Sequence, residues 1–281
     1  MMNRIKSCIE CIYDKQKQIS RDEAYLKEIK KIIDSRDEND KPPYLVYLFN
    51  QVYEKHFGKR PSFKEIKKQY NNLVLSMECD LREKINSSNN PVSTAFMYAR
   101  IGNYIDFGAM NNVDKDAFLS LFDKAEISKK DKETLDSFLK QCSSAKNFLL
   151  LADNCGEIVL DKLFIEQLKN HFKNLNVTVM VRGGEASNDA TVEDAEQAGL
   201  DKIADIITNG YPIAGTIYNL LPLISRKAFD DADVILSKGQ GNYECLYGQG
   251  FHIFYSFLCK CDHFTNQFKV PKFTGIFTEE K

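Results

Sequence analysis

No run of apolar residues in this chain of 281 approaches the roughly 18 that cross a lipid bilayer. The start of the chain, MMNRIKSCIECIYD, lacks the apolar stretch of a secretory signal peptide. Repeats of fixed period and low-complexity tracts are also missing. We therefore expect a cytoplasmic protein that has no membrane partner.

An excess of positive charge is missing as well. The 38 Lys and Arg residues are balanced by 40 Asp and Glu residues, so the formal net charge is −2. Nucleic-acid-binding domains carry a clear surplus of Lys and Arg, so we expect no nucleic-acid partner. Hydrophobic residues make up 43% of the chain, which supports a sizeable core. The length fits one large domain or two smaller ones.

Two nucleotide-binding patterns, GxGxxG and GxxxxGK[ST], do not occur in the sequence. The absence of the first pattern argues against NAD binding, and the absence of the second excludes a Walker A loop. The four His residues do not accompany the acidic residues described below, which argues against catalytic zinc, since such zinc sites rely on His ligands.

The eight cysteines are expected to be reduced, because disulfides persist mainly in secreted proteins. Cys8 and Cys11 form a CxxC pattern, and Cys259 and Cys261 form a CxC pattern. These four residues suggest either a zinc or redox site or simple packing of small buried side chains. The sequence favours packing, because CxC is an unusual spacing for structural zinc.

Residues 1–145 have apolar side chains at the spacing of amphipathic helices and contain no run rich in β-forming residues. Pro42 and Pro43 interrupt this region, since proline disfavours helix in the residue before it. One long helix is predicted from a Ser62–Glu65 capping box to about Ile85. We interpret 1–145 as an all-helical N-terminal region.

Residues 146–281 alternate between strands and helices, which is typical of a mainly parallel sheet with helices on both faces. The second region is therefore predicted to be an α/β domain with a three-layer α/β/α core. The predicted strands are 148–152, 177–181, 204–207 and 234–236, with 251–258 and 273–277 as further edge strands. The predicted helices are 158–172, 191–199 and 216–229.

Polar residues follow two of the predicted strands directly. Asp153 and Asn154 come after the first strand, and Asp189 lies in the turn after the second. Carboxyl ends of parallel strands are where open α/β sheets bind ligands, and carboxylate and amide oxygens suit a divalent cation such as Mg²⁺. The alternative is that each Asp caps the helix that follows it.

Two acidic residues lie four apart on the first helix after this turn, Glu157 and Asp161. That spacing puts them on one helix face. Glu157 is a candidate for proton transfer or for supporting the metal ligands. Asp161 is equally suited to a charge pair with Lys162.

The turn Lys238-Gly239-Gln240-Gly241-Asn242 is the strongest anion-binding pattern in the chain. A Lys at a strand end can pair with phosphate, and the two glycines let backbone N–H groups approach an anion closely. The alternative is an ordinary turn. We interpret the three turns as one site.

Taken in order, these residues resemble a known family, the metal-dependent damage-control phosphatases. The family is also called acidic-residue-methyltransferase-like and was first catalogued as domain of unknown function 89. The resemblance covers most of the chain. It is carried by the Cys8/Cys11 pair, Gly102-Asn103 with Asp106, Asp153-Asn154 with Gly156, Glu157 and Asp161, Asn188-Asp189 with Asp194, Gly210, Gly215 and Thr216, Ser237–Asn242 with Glu244, and Lys260-Cys261.

The resemblance implies that Asp153, Asn154 and Asp189 hold a divalent metal ion (Mg, Mn, Co or Ni). It also implies that Lys238 contacts phosphate and that the substrate is a small phosphorylated metabolite, such as a sugar phosphate or a damaged cofactor precursor. The chain departs from the family pattern at Pro61-Ser62-Phe63, where Asp-Pro-aromatic is expected.

From these observations we expect a metal-dependent phosphatase. Asp153, Glu157 and Lys238 are the candidate catalytic residues, and the attacking group is either a water molecule or the Asp153 carboxylate. The candidate substrate-binding residues are Asn103, Gly239, Gln240, Gly241 and Asn242. The alternatives are an S-adenosylmethionine-dependent carboxyl methyltransferase, a thiol-based redox or zinc protein, and a metabolite-binding protein without catalysis.

Overall fold

A computed structural model describes residues 2–37, 40–104, 122 and 127–281. It has the α/β class predicted from the sequence, with a mostly parallel six-stranded sheet and helices around it. None of the helices within these ranges is long and apolar enough to cross a membrane. Asp106, which was quoted above, lies outside the described residues.

Six helices lie between residues 2 and 101 of the described chain, as predicted for the first region. They are α1 (Met2–Ile19), α2 (Glu23–Ser35), α3 (Pro42–Phe57), α4 (Lys64–Leu75), α5 (Glu78–Ser87) and α6 (Pro91–Ile101). The side chains of α1, α2 and α3 form a small hydrophobic cluster of their own, around Tyr25, Leu45 and Phe49.

The prediction of one long helix from Ser62 to about Ile85 is wrong, because this segment forms two helices, α4 and α5. At the break, the Ser76 hydroxyl donates to the carbonyl oxygen of Leu73 at 2.7 Å, a local bond that competes with helix continuation. The predicted capping box is also wrong. The Ser62 hydroxyl donates to Glu185 at 2.8 Å instead of capping α4.

The sheet has the strand order β3-β2-β1-β4-β5-β6. Its strands are β1 (Asn147–Leu151), β2 (Asn176–Val181), β3 (Asp205–Thr208), β4 (Val234–Lys238), β5 (Ile253–Leu258) and β6 (Gly275–Glu280). Five strands are parallel and β6 is antiparallel to β5. All six predicted strands are confirmed, although β5 is an inner strand and not an edge.

Six further helices of the described residues flank the sheet, the first of them just before β1 and the other five between or after the strands. They are α7 (Lys129–Cys142), α8 (Glu157–His171), α9 (Val192–Ala198), α10 (Leu223–Asp230), α11 (Gln240–Leu246) and α12 (Asp262–Phe268). The predicted helix over 216–229 is partly wrong, since α10 begins only at Leu223. Leu221 is extended because it precedes Pro222, which disfavours the helical conformation there.

The sheet lies between two helical layers. Phe148 and Leu150 of β1 pack on one face against Phe138 of α7 and Phe164 of α8. Leu149 and Leu151 face the opposite layer, with side chains of α10, α11 and α12. Since the first cluster also contains side chains of α4, α5 and α6, the division into domains 1–145 and 146–281 stays a prediction.

The strand order reverses between β1 and β4. From β1 the chain extends the sheet through β2 to β3, and then returns to place β4 on the other side of β1. In open α/β sheets, ligands bind in the crevice that such a reversal opens at the carboxyl ends of the strands. Asp153 follows β1 and Gly239 follows β4 at this point.

Candidate active site

The turns after β1 and β2 are joined by backbone hydrogen bonds. Asn154 and Asp189 pair in an isolated antiparallel bridge. The N–H of Cys155 donates to the carbonyl of Asn188 at 2.8 Å, and the N–H of Ala190 donates to the carbonyl of Asp153 at 2.7 Å. The structure therefore brings Asp153, Asn154 and Asp189 together, as the sequence predicts.

The turn after β4 reaches the same place through Gly239. A Cβ atom on Gly239 would lie 2.0 to 2.3 Å from the carboxylate atoms of Asp153, and the residue has a φ of +84°. Only glycine accepts both this contact and this backbone conformation without strain. The third predicted turn thus closes directly over Asp153.

Asp153 is held by two amide side chains. Its Oδ2 atom accepts hydrogen bonds from Asn103 at 2.8 Å and from Asn154 at 2.6 Å. Asn103 lies in a short 3-10 helix, Gly102–Tyr104, at the end of α6. Its side-chain oxygen accepts a hydrogen bond from the backbone N–H of Leu258. The first region therefore contributes a side chain to the site.

Glu157 links these amides to Lys238. Its Oε2 atom accepts from Asn103 and Asn154, each at 3.0 Å, and its Oε1 atom lies 2.6 Å from Nζ of Lys238. Lys238 also donates to Asp161 at 2.6 Å and to the carbonyl of Ala99. Asp161 therefore pairs with Lys238, while Lys162 pairs with Glu78.

Burial governs the pKa values in this cluster. It raises the pKa of Asp161 to about 7, against the lowering influence of Lys238. Burial alone would lower the pKa of Lys238, but the carboxylates of Asp161 and Glu157 outweigh it, so the pKa lies above the ordinary value. Lys238 is therefore a charged side chain enclosed by two carboxylates.

Arg182, which the sequence reasoning did not identify, touches all three turns. It directly follows β2, and it is only 1% exposed. Its Nε atom donates to Asp189 at 2.6 Å, its Nη1 atom donates to Asn242 at 3.0 Å, and its Nη2 atom lies 3.6 Å from Oδ1 of Asp153. A cation at a strand end, the pattern recognised at Lys238, also marks Arg182.

The two predicted metal-binding carboxylates are close enough to repel each other. Burial raises the pKa of Asp153 to about 7, and the charges of Asp189 and Glu157 add to the increase, while Lys260 and Arg182 oppose it. Burial also raises the pKa of Asp189, with Arg182 opposing. A bound cation would relieve this repulsion.

The donor set fits a divalent metal ion. Within the described residues, no hydrogen-bond donor reaches Oδ1 of Asp153 or Oδ1 of Asp189, whose Oδ2 atoms are both occupied. Hard oxygen atoms of this kind suit Mg²⁺ or Mn²⁺. Helix capping does not account for these residues, since α8 has Gly156 and α9 has Thr191 at the cap position.

The predicted substrate-binding side chains of the third turn engage the protein itself. Gln240 donates to Glu244 at 2.8 Å and accepts from the N–H of Lys260. Asn242 donates to the carbonyls of Ala152 and Lys238, which ties β1 to β4. The substrate-binding roles of Gln240, Gly241 and Asn242 stay predictions.

A second group that the sequence reasoning missed comes from α4. Asn71 accepts from the N–H of Gly156 at 2.6 Å and donates to Asp194 at 2.8 Å. Lys67 lies 2.5 Å from Asp194, which forms a capping box with Thr191. These contacts join residues at least 85 positions apart in the sequence, and neither Lys67 nor Asn71 stands in a motif.

The cysteine pairs are not grouped as metal ligands in the part of the chain that the structure describes. There, no group of three or more His, Cys, Asp or Glu side chains is arranged to hold a metal ion. The proposed set of two carboxylates and one amide is not a group of this kind. Cys11 is exposed, and Cys259 is buried with its pKa raised to about 11 by desolvation.

Comparison with known proteins gives a consistent result. A family model described as the damage-control phosphatase ARMT1-like domain matches residues 2–274. The chain is 34% identical over 200 residues to a damage-control phosphatase of Archaeoglobus fulgidus, covering 71% of this chain and 68% of that protein. It is 31% identical over 229 residues to damage-control phosphatase PH1575 of Pyrococcus horikoshii, covering 80% and 76%.

Among solved structures, one similar chain is a DUF89 family protein of Pyrococcus horikoshii, also designated ph1575. The TM-score is 0.77 at 26% identity, and the match covers 98% of each chain. Both the helical region and the sheet are therefore shared with that protein.

Proposed function

Because the chain belongs to the damage-control phosphatase ARMT1-like family and is a hydrolase of phosphoric esters, we propose that Asp153, Asn154 and Asp189 hold its metal ion. One observation carries this proposal. Two buried carboxylates and an amide meet at the strand-order reversal, and each carboxylate has an oxygen without a donor in the described chain. The proposed ion is Mg²⁺, Mn²⁺, Co²⁺ or Ni²⁺.

When bound, the metal would neutralise negative charge on the phosphoryl group. The N–H groups of residues 240–242 lie in the turn that closes over Asp153, which supports a role in holding phosphoryl oxygens. The N–H of Gly239 does not share this role, because it donates to the carbonyl of Ser256 at 3.0 Å. Lys260 follows β5 beside this turn and is half-buried. Its charge opposes the raised pKa of both Asp153 and Asp189, so it is a second cation suited to the same anion.

A direct contact between Lys238 and phosphate would require the lysine to change its partners. Its ammonium group already holds Glu157 and Asp161, so Lys238 must exchange one of these partners to bind a phosphoryl oxygen directly. The oxygens of Glu157 are occupied by Lys238, Asn103 and Asn154. This supports a role for Glu157 in orienting the two amides more than a role in proton transfer.

The substrate class is a small phosphorylated metabolite. The relatives described above are named phosphatases, which favours hydrolysis over carboxyl methyl transfer and over binding without catalysis. The first region contributes Asn103 directly to the site, which supports a role for that region in substrate selection.

A phosphatase screen tests the proposal. Wild-type protein is assayed against small phosphate esters with Mg²⁺, Mn²⁺, Co²⁺ and Ni²⁺, beside the variants Asp153→Ala and Asp189→Ala. Asp231→Ala is the matched control, because Asp231 is exposed and pairs only with Lys227 among the described residues. Metal-dependent activity that both site variants lose and the control keeps is expected. Equal activity in the site variants, or none with any metal, rejects the proposal.

A further inference from the structure

We infer that Arg182 is a positioning residue that assembles the three turns of the site through the fork of its guanidinium group. The inference rests on the proposed function, because the groups that it positions include the proposed metal ligands Asp153 and Asp189. It concerns a residue outside the motifs that carry the family resemblance.

The three nitrogen atoms of Arg182 face three different turns. Nε bonds Asp189 after β2, Nη1 bonds Asn242 after β4, and Nη2 faces Asp153 after β1. The backbone contributes as well, because the N–H of Arg182 donates to the carbonyl of Ala190 at 2.9 Å. One side chain therefore sets the spacing between turns that are far apart in sequence.

The geometry requires an arginine. A guanidinium group presents several N–H donors in a rigid plane, whereas a lysine ammonium group is a compact point charge on a flexible stem. The bond to Asp189 is charge-assisted and short, which makes it among the strong hydrogen bonds of the site. A lysine at this position would keep the charge and lose two of the three directions.

The Nη2 atom provides an independent observation. It is buried and has no hydrogen-bond acceptor within the described residues. A buried donor without a partner costs free energy, and Oδ1 of Asp153 lies 3.6 Å from Nη2. That oxygen is one of the two proposed for the metal, so Arg182 leaves it available while holding its charge close.

The surrounding charges agree with this role. Arg182 faces Asp153 and Asp189, while Asn242 contributes a neutral carbonyl oxygen. Its positive charge opposes the raised pKa of both carboxylates. The turns are thus held together in the metal-free protein, where two buried carboxylates would otherwise push apart.

The test compares Arg182→Lys and Arg182→Met with wild type. Mn²⁺ binding is measured directly in the absence of substrate, half-saturating Mn²⁺ is measured in the phosphatase assay, and thermal unfolding is followed in chelator. Arg82→Lys is the matched control, since Arg82 also bridges two carboxylates, Glu78 and Glu166, on the outer side of α8.

We expect both Arg182 variants to weaken Mn²⁺ binding by about 10- to 100-fold, the usual effect of losing a group that orients metal ligands. The same shift is expected in the assay, and Arg82→Lys should bind Mn²⁺ like wild type. If Arg182→Lys binds like wild type, the fork is unnecessary and the inference is overturned. The same measurements are made with Mg²⁺, Co²⁺ or Ni²⁺ if one of these binds more tightly, and wild-type protein that binds none of the four ions would overturn the proposed function as well.

Asn242→Ser covers the case in which the Arg182 variants do not fold. It leaves Arg182 in place and removes the acceptor of Nη1, together with the bonds that Asn242 donates to the carbonyls of Ala152 and Lys238. Its half-saturating Mn²⁺ should rise several-fold because the fork loses one anchor. An unchanged Mn²⁺ affinity in folded Asn242→Ser would overturn the inference. If the Mn²⁺ affinity falls only in proportion to the fraction of unfolded protein, as read from the melting curve, the inference is also overturned.

Discussion

The backbone N–H of Gly156 donates a 2.6 Å hydrogen bond to the side-chain carbonyl of Asn71, which lies on α4 in the first region of the chain. The side-chain amide of Asn71 also donates to Asp194 at 2.8 Å. Gly156 caps the helix that follows Asp153-Asn154, and Asp194 caps the helix that follows Asp189. One buried side chain of the helical region therefore holds both ligand-bearing turns.

Asn71→Ala is expected to lower the free energy of unfolding by about 1–3 kcal/mol, because it leaves the buried N–H of Gly156 without an acceptor and removes one of the donors to Asp194. Denaturant unfolding measures the change. The neighbouring Asn72→Ala serves as the control, since Asn72 is exposed, and should change stability by less than about 0.5 kcal/mol. Equal effects of the two substitutions would contradict this assignment.

Gly239→Ala is expected to abolish most phosphatase activity, because the new Cβ atom would lie within 2.3 Å of the Asp153 carboxylate. Gly248→Ala separates this clash from backbone strain. Gly248 also has a positive φ, +80°, but no atom lies within 4 Å of the added Cβ position. Both variants should lose about 1–2 kcal/mol of stability from the left-handed conformation. Only Gly239→Ala should lose activity, as measured by initial rates.

Lys238→Met is expected to destabilise the protein by about 3–5 kcal/mol, because it leaves the carboxylates of Glu157 and Asp161 buried without a cation. Lys227→Met removes an exposed pair with Asp231 and should cost at most about 1 kcal/mol. Chemical denaturation of both variants, compared with wild type, measures the difference. A small effect at Lys238 would show that the cluster tolerates an uncompensated charge.

The contribution of Asp161 to the stability of the metal-free protein should fall as the pH rises from about 4 to 7. Burial raises the folded-state pKa of Asp161 from 3.8 to about 7, so the folded state binds a proton that the unfolded state has released in this range. One such proton changes stability by up to about 1.4 kcal/mol per pH unit. Asp161→Asn cannot ionise at this position, so the free energy of unfolding of wild type relative to this variant should fall over the same pH range, as measured by denaturant unfolding of both proteins.

Metal binding should stabilise the folded state by an amount that grows with the logarithm of the metal concentration above the dissociation constant. Mn²⁺ at 100 times its dissociation constant would add about 2.7 kcal/mol if it binds only the folded protein. Thermal unfolding in Mn²⁺ and in chelator measures the effect. Asp189→Asn should lose most of this stabilisation, whereas Asp231→Asn should keep it. A wild-type melting curve that does not respond to any divalent ion would contradict the proposed site.

The strands were predictable because inner parallel strands are buried on both faces and therefore appear as continuous apolar runs. β1, predicted over 148–152, spans Asn147–Leu151. Helix ends were less predictable. The extended residue before Pro222 shows that a local steric effect overrides an apolar pattern that suits a helix, and the turn at Ser76 shows the same for a side-chain bond to the backbone.

Part of the site was also predictable, because the carboxyl ends of parallel strands meet at one edge of a sheet. Asp153, Asn154 and Asp189 follow successive parallel strands, so the fold places them at one edge. Arg182 was not identified, although it also ends a strand, because no glycine-rich turn like that of Lys238 drew attention to it. Lys67 and Asn71 were not identifiable, because an amphipathic helix has polar residues on its solvent face and nothing in the pattern marks which of them are buried.

The amino-acid sequence by itself determined the alternation of strands and helices, and with it the residues that stand at the strand ends. The tertiary structure alone decided which cation faces which carboxylate. Lys238 holds Glu157 and Asp161, while Arg182 holds Asp189 and lies beside Asp153. The physical reason is that strand order and side-chain burial depend on packing between distant segments, whereas hydrophobic periodicity and turn chemistry depend on neighbours in the chain.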